Sequence, residues 1–234
     1  SGSNIIFSDS GFPGVVLRLS GPSFRKIERV EGGLRCGASV SGQALLHFCA
    51  SRGIGGFEFL AGIPGTVAGM VRMNAGAFGE EIGSAVRSLE AVMPSGQDKV
   101  FEKSRLRFGY RTLKGLPEGS VITAVVFAGG RSSRARIAGK IRQNLAVRKE
   151  RQPRGRSSGS IFKNPPRSKA WEIVDSLGLR GRRCGGAQVS PVHPNWIVNT
   201  GSAKARDVLR LVRLIRTEAK RKRGITLQTE VKIF

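Results

Sequence analysis

No stretch of this sequence approaches the roughly 18 consecutive apolar residues that a membrane-spanning helix needs, which argues against a helical transmembrane protein. The N-terminal Ser1-Gly2-Ser3-Asn4 has no basic region leading into an apolar one, so a secretory leader is not expected there. Cysteine is scarce. Cys36, Cys49 and Cys184 are odd in number and lack metal-ligand spacing, which excludes a disulfide framework and a zinc site. Free thiols in a reducing cytoplasm are the expectation. The two histidines, His47 and His193, are too scattered to suggest a metal centre, and none is expected. Aromatic residues make up only 6% of the chain, so arginines interleaved with stacking rings, the mark of nucleic-acid recognition, are missing. Acidic residues are also few: 16 against 40 lysines and arginines, a formal net charge of +24. Such a surface attracts polyanions. The cations are spread along the whole chain, however, so non-specific rather than sequence-specific nucleic-acid binding is expected.

What is present suits an enzyme-sized globular chain. With 234 residues there is room for one large domain or two small ones, and an apolar fraction of 39% is enough for a core. Strands are expected at Val15 to Leu19, Ser88 to Met93 and Val121 to Phe127. Helical spacing runs from Ser41 to Ser51 through Ala44, Leu45, Phe48 and Cys49. In the second half, Ser132 to Arg151 reads as an amphipathic helix with Ile137, Ile141 and Leu145 on one side and cations on the other. A short helix from Ala170 to Leu177 carries Trp171, Val174 and Leu177. A final helix, capped by Ser202 and ended by Gly224, has Val208, Leu211, Val212, Ile215 and Ala219 as its apolar stripe. Leu227 to Phe234 reads as a terminal strand. The domain boundary is expected near Gly129-Gly130, giving domains 1–129 and 130–234.

Several short blocks carry chemistry. Gly62-Ile63-Pro64-Gly65-Thr66, followed by Gly69, has the composition of a turn whose backbone N–H groups approach a phosphate. Asn74-Ala75-Gly76 offers small residues that allow close approach of a flat ring. Taken alone, each is more often an ordinary turn. The same holds for Tyr110-Arg111 as a strand-end pair, Ser160 as a turn hydroxyl and Glu230 as an exposed carboxylate. Together and in this order, with Gly159-Ser160-Ile161-Phe162-Lys163-Asn164-Pro165 and Gly185-Gly186-Ala187-Gln188-Val189-Ser190, the blocks resemble the UDP-N-acetylenolpyruvoylglucosamine reductase family. The resemblance runs from Ser1 to the C-terminus and is to the shorter form of that family, with its opening residues missing.

The resemblance implies an α+β flavoprotein. A vanillyl-alcohol-oxidase-type FAD-binding domain, incomplete at its N-terminus, would be followed by an α/β substrate-binding domain. It implies FAD as cofactor and NADPH as hydride donor. The substrate would be UDP-N-acetylglucosamine enolpyruvate, and the product UDP-N-acetylmuramate for peptidoglycan and cell-wall synthesis. Gly2, Ser3 and Asn4 match the end of the family's flavin-phosphate loop, and Gly62 to Thr66, Gly69, Asn74, Ala75 and Gly76 its other flavin contacts. Because the loop starts at the first residue, weak FAD binding is expected. Ser160 matches the family's proton donor, with Arg111 and Glu230 as its catalytic partners. Tyr110, Lys163, Asn164 and Gln188 match substrate contacts, and burial is expected to raise the Glu230 pKa. Thr112 and Leu113 depart from the family's usual residues after the Tyr-Arg pair. Asn199 is expected to support a turn. A monomer is expected. Two rival readings remain: a catalytically impaired remnant that binds UDP-sugar, and a basic nucleic-acid-binding protein.

Overall fold

A computed structural model describes residues 1–234. It divides into two compact units. The first comprises Ser1 and Leu17–Val147, the second Gly2–Val16 and Arg148–Phe234.

The first unit is built on one antiparallel sheet of β1 (Ile27–Val30), β2 (Gly33–Gly37), β3 (Val86–Val92), β4 (Asp98–Glu102) and β5 (Val121–Phe127), in the order β1-β2-β5-β3-β4. β3 and β5 coincide closely with the expected strands. Their Val86, Leu89, Ala91, Ile122, Val125 and Phe127 are buried in the core. Two helices supply the other side of that core: α1 (Gly42–Arg52) through Leu45, Leu46 and Cys49, and α2 (Val67–Arg72) through Val67, Met70 and Val71. The start of α1 follows from its cap, since the Ser41 hydroxyl accepts from the Ala44 N–H at 3.1 Å. Gly53 ends the helix in the left-handed conformation, φ 65°. A single helical turn, α3 (Ile82–Ala85), leads into β3.

The long basic helix α4 (Arg134–Arg151) begins at Ser133, whose hydroxyl accepts from the Arg136 N–H at 3.2 Å. Its packing departs from the expected stripe. Ile137 is buried and Ile141 packs on the core, but Leu145 is 44% exposed. The buried neighbour is Asn144, whose amide donates to the Glu58 carbonyl at 2.9 Å. These contacts hold most of α4 in the first unit. The compact first unit accordingly runs to Val147.

The second unit has a four-stranded antiparallel sheet of β6 (Arg156–Ser160), β7 (Arg183–Cys184), β8 (Ala187–Val189) and β9 (Trp196–Asn199), in the order β6-β9-β8-β7. α5 (Ala170–Asp175) and α6 (Ala205–Arg223) close its core with Ile173, Val174, Leu211, Val212, Ile215 and Ala219. Of the residues named on the expected Ala170 to Leu177 helix, Val174 and Leu177 are buried and Trp171 is 37% exposed. Ser202 does not cap α6. The cap is Lys204, and the Asp207 carboxylate accepts from its N–H at 3.1 Å. The end of α6 is as expected: four cations crowd the last turn and Gly224 closes it at φ 67°.

The N-terminal segment belongs to this unit. Ile5–Ile6 pairs in parallel with Lys232–Ile233, the only regular part of the expected terminal strand. The Asp9 carboxylate accepts from the N–H groups of Ala205 and Arg206 at 2.7 and 2.9 Å. Those bonds satisfy donors that the first turn of α6 leaves free. They also hold the Asp9 carboxyl below the usual carboxylate range, the Arg206 N–H being the largest cause. Val15 to Leu19 is not a strand. No partner strand offers it a ladder, and Val15 and Leu17 are 83% and 80% exposed.

Candidate functional site

In the first unit the chain from Gly62 to Gly69 turns into α2. Gly62 and Gly65 adopt φ 76° and 142°, conformations that disfavour a side chain. The carbonyls hold the turn: Gly65 O accepts from Gly42 N–H at 3.2 Å and Thr66 O from Met70 N–H at 2.8 Å. The N–H groups of Gly62, Gly65 and Thr66 take no part in the bonds that hold it. Unspent backbone donors beside glycine suit phosphate oxygens, so this turn fits a phosphate-bearing cofactor. Pro64 and Gly69 are exposed, and Ile63, Ala75 and Gly76 half-buried.

Asn74 differs from its neighbours. It is fully buried at φ 42°. Its amide nitrogen donates to Glu81 Oε2 at 2.7 Å and to the Gly109 carbonyl at 3.0 Å. Its amide oxygen accepts from the Gly83 N–H at 3.0 Å. With both donors and the acceptor engaged, the side chain serves the protein itself.

Tyr110 and Arg111 form the tip of a hairpin, Arg107–Gly109 paired with Thr112–Lys114. Arg111 sits at φ 53°, and its guanidinium carbon lies 5.2 Å from the Tyr110 ring centroid. Tyr110 is exposed and Arg111 half-buried. A non-glycine residue in this conformation is uncommon and marks a position worth attention.

In the second unit, Ser160 ends β6 beyond a register shift between Ser157 and Ser160. Gly159, at φ 76°, makes the bend. The segment that follows is clasped by Asn195, itself 4% exposed. Asn195 Oδ1 accepts from Phe162 N–H at 3.0 Å, its amide nitrogen donates to Phe162 O at 2.8 Å, and its carbonyl accepts from Ile161 N–H at 2.8 Å. The C-terminal segment runs along the other side. Glu230 N–H donates to Ile161 O at 2.8 Å, and Lys163 N–H to Gln228 O at 2.9 Å. Ser160, Lys163 and Glu230 thus lie on adjoining segments although about 70 positions separate Ser160 from Glu230 in sequence.

Other expected residues have visible structural duties. Asn164 Oδ1 accepts from the Ala170 N–H at 3.0 Å and so supports the start of α5. The Gln188 amide donates to the Gly181 carbonyl at 3.1 Å. Asn4 donates to the Glu230 carbonyl at 3.2 Å, which ties the Gly2-Ser3-Asn4 loop to the segment carrying Glu230. Asn199 supports its turn as expected, accepting from Gly201 and Ala203.

Sequence reasoning missed Asn195, the internal hydrogen bonds of Asn74 and the part played by Asp9. Their bonds span 33, 35 and 196 positions, respectively, and no local motif announces them.

Cys36, Cys49 and Cys184 are free. Burial pushes the Cys36 and Cys49 thiols up to about 12. Burial also lowers the His193 pKa, which favours the neutral imidazole. No group of three or more His, Cys, Asp or Glu side chains could hold a metal ion, and no helix is long and apolar enough to cross a membrane.

Comparison with known proteins agrees with this architecture. Residues 1–100 match the model of an FAD binding domain. Residues 151–234 match that of the UDP-N-acetylenolpyruvoylglucosamine reductase C-terminal domain. UDP-N-acetylenolpyruvoylglucosamine reductase of Sphingopyxis alaskensis is 44% identical over 98% of this chain and 77% of its own length. The Rhizorhabdus wittichii enzyme of the same name is 42% identical over 98% of this chain and 75% of its own length. The crystal structure of UDP-N-acetylenolpyruvylglucosamine reductase from Thermus caldophilus superposes with a TM-score of 0.88 at 35% identity, covering 100% of this chain and 83% of that one. The chain belongs to the UDP-N-acetylenolpyruvoylglucosamine reductase family and, with it, to the FAD-dependent oxidoreductases.

Proposed function

We propose that this chain reduces the enolpyruvyl group of UDP-N-acetylglucosamine enolpyruvate to give UDP-N-acetylmuramate, with NADPH as hydride donor, as a cytoplasmic, monomeric enzyme of peptidoglycan precursor synthesis. Bound FAD supplies the hydride chemistry. The observation that carries the reading is the pairing of the Ser160–Lys163 segment with the segment of Glu230 through the Glu230 N–H to Ile161 O bond of 2.8 Å. It runs the segments that carry Ser160, Lys163 and Glu230 side by side, which supports their assignment to one site. Family membership over both parts of the chain favours this enzyme over a remnant or a nucleic-acid-binding protein.

The 1–129 part is assigned to the cofactor. Gly62, Gly65 and Thr66 would offer backbone donors to its phosphates, with Ile63, Pro64 and Gly69 shaping the turn that carries them. Gly2, Ser3 and Asn4 are assigned to the same cofactor. Ala75 and Gly76 are small enough for a ring to approach closely. Asn74 contributes to this site by shaping it, because its side chain is engaged elsewhere.

The 130–234 part is assigned to the substrate. Lys163, Asn164 and Gln188 would contact it, and Tyr110 is assigned to the substrate as well. Arg111 would grip the enolpyruvyl carboxylate with two parallel hydrogen bonds, a role for which a permanently charged planar fork is suited. Hydride addition to the enolpyruvyl double bond leaves an enolate-like centre beside that carboxylate. Ser160 would give this carbon its proton, and Glu230 would support the same end of the substrate. Serine is a weak acid, so the transfer relies on the basicity of the carbon and on placement.

The test is a spectroscopic titration. Under anaerobic conditions the FAD-loaded chain should lose its flavin colour with NADPH. Colour should return on addition of the enolpyruvyl UDP-sugar, but not of UDP-N-acetylglucosamine, which lacks the double bond. Return of colour with neither sugar would sink the proposal.

A further inference from the structure

The Tyr110-Arg111 hairpin has a mount that the family's chemistry does not require by itself. Each of its strands is held by a side chain from α2 or the residues just after it. Arg72, the last residue of α2, donates from Nη1 to the Leu113 carbonyl at 2.8 Å. Asn74, two residues on, donates to the Gly109 carbonyl at 3.0 Å. Those two carbonyls lie one on either strand, to each side of the Tyr110-Arg111 tip.

The mount is tight. Asn74 is fully buried, and its remaining bonds fix it to Glu81 and to the Gly83 N–H. A Cβ at Gly83 would lie 2.5 Å from the Phe108 ring and 2.7 Å from Asn74 Oδ1, so only glycine allows this approach. Lys103 adds a clamp. Its ammonium group donates to the Gly83 carbonyl and lies 4.6 Å from the Phe108 ring centroid. Asn74 holds φ 42°, a conformation that asparagine tolerates better than most residues.

Arg111 at the tip is itself at φ 53°. A non-glycine residue in this conformation is held against its local preference, at a cost the surrounding structure has to offset. The surrounding structure has to support it, and the bonds from Arg72 and Asn74 do so on both sides of the tip.

We infer that Asn74 and Arg72 are positioning residues for Arg111, setting the hairpin so that its guanidinium is presented in one orientation to the substrate carboxylate. The inference rests on the role given to Arg111 under Proposed function. It also gives the Asn74 segment a double duty: its neighbours Ala75 and Gly76 border the proposed cofactor contacts, while Asn74 itself holds the substrate clamp. Placement of the clamp is thereby coupled to the same stretch of chain that shapes the flavin-binding turn.

Two measurements on the full chain test this. In the first, amide hydrogen exchange is followed for the ligand-free wild type, Asn74→Ala and Arg72→Met. Exchange in residues 107–114 should rise at least about tenfold in both variants while the β5 amides keep their protection. Arg72 is on the surface, so Arg72→Met should fold even if Asn74→Ala does not. Unchanged exchange in the hairpin overturns the inference. In the second, the affinity for the enolpyruvyl UDP-sugar is measured by calorimetry for Arg72→Met, Arg111→Ala and the double variant. Arg111→Ala should weaken binding by about 10–100-fold, the range for a hydrogen bond between charged groups. Arg72→Met should weaken it about 3–10-fold in the wild-type background, a fraction of that full loss, and have almost no effect once Arg111 is gone. Full additivity means that Arg72 acts by another route and overturns the inference. If Arg111→Ala alone leaves affinity unchanged, the carboxylate-clamp role fails, and the positioning role falls with it.

Discussion

Each unit of the molecule places one buried asparagine beside a proposed site residue, but the two are used differently. Asn195 in the second unit spends its side chain on a single residue, taking both the N–H and the carbonyl of Phe162. It reinforces a connection that already has backbone bonds on both sides, from Ile161 to Asn195 and from Glu230 to Ile161. Asn74 in the first unit spreads its three bonds over Glu81, Gly83 and Gly109. Asn195 behaves as part of a sheet, Asn74 as a hub. A side chain on a strand end, such as Ser160, takes its direction from the ladder. A side chain on a hairpin tip, such as Arg111, needs an outside anchor. Damage to the first should therefore spread through the unit, whereas damage to the second should stay local.

The largest contrast between the units is in thiol chemistry. Cys36 and Cys49 of the first unit are buried with thiols pushed up to about 12, whereas Cys184 of the second is half-buried. At pH 8 the thiolate fraction at the two buried positions is about 10³ lower than for an ordinary cysteine. Ellman's reagent should therefore modify Cys184 quickly and the other two only on unfolding. Fast modification of all three would mean that the first unit opens readily. The same shift has a sign for stability. It favours the folded state fully below the ordinary thiol range, and that contribution is lost as pH rises from about 8.5 towards 12.

Next in size is Asn195→Ala. It strips the Phe162 N–H and carbonyl of their partner at a site with almost no solvent access. The expected loss is about 2–4 kcal/mol in urea unfolding, with exchange protection falling throughout β6 and β9. A loss confined to residues 160–163 would break the proposed contrast with Asn74.

The smallest effect is expected from Asp9→Asn. The variant keeps a side-chain acceptor at the start of α6 but removes its charge, so the thermal midpoint at pH 7 should drop slightly. Because the Asp9 carboxyl is held below its ordinary value, its contribution is present above the usual carboxylate range and lost as pH falls. Wild type and variant should thus converge in acid. A constant difference from pH 7 down to pH 3 would show that the charge plays no part.

The elements legible in the sequence were those whose signals are local. The helical spacing from Ser41 to Ser51, the strand composition of Val121–Phe127 and the stripe of α6 each state their own geometry within a few residues. The parts that were illegible depend on distant partners. Val15 to Leu19 has strand composition but no strand beside it. Ser202 is a good capping residue, but Lys204 and Asp207, with Asp9 from the other end of the chain, take over the start of α6. Trp171 looks like a core residue, yet Ile173 and Val174 fill that place. The candidate site follows the same rule. Ser160, Lys163 and Glu230 could be named from their motifs, whereas Asn195 and the positioning role of Asn74 exist only once strands and turns have met.

The central claim is that Ser160 is the proton donor of the substrate half-reaction, and stopped-flow absorbance of the flavin in Ser160→Ala tests it most directly. NADPH-driven bleaching needs no proton at the substrate carbon, so its rate should stay close to that of the wild type. Recovery of the flavin band with the enolpyruvyl UDP-sugar should slow by at least about 10²-fold, the lower end for positioned proton transfer. Slowing of the NADPH step alone, or of neither step, would contradict the account and return Ser160 to the role of a strand-end hydroxyl.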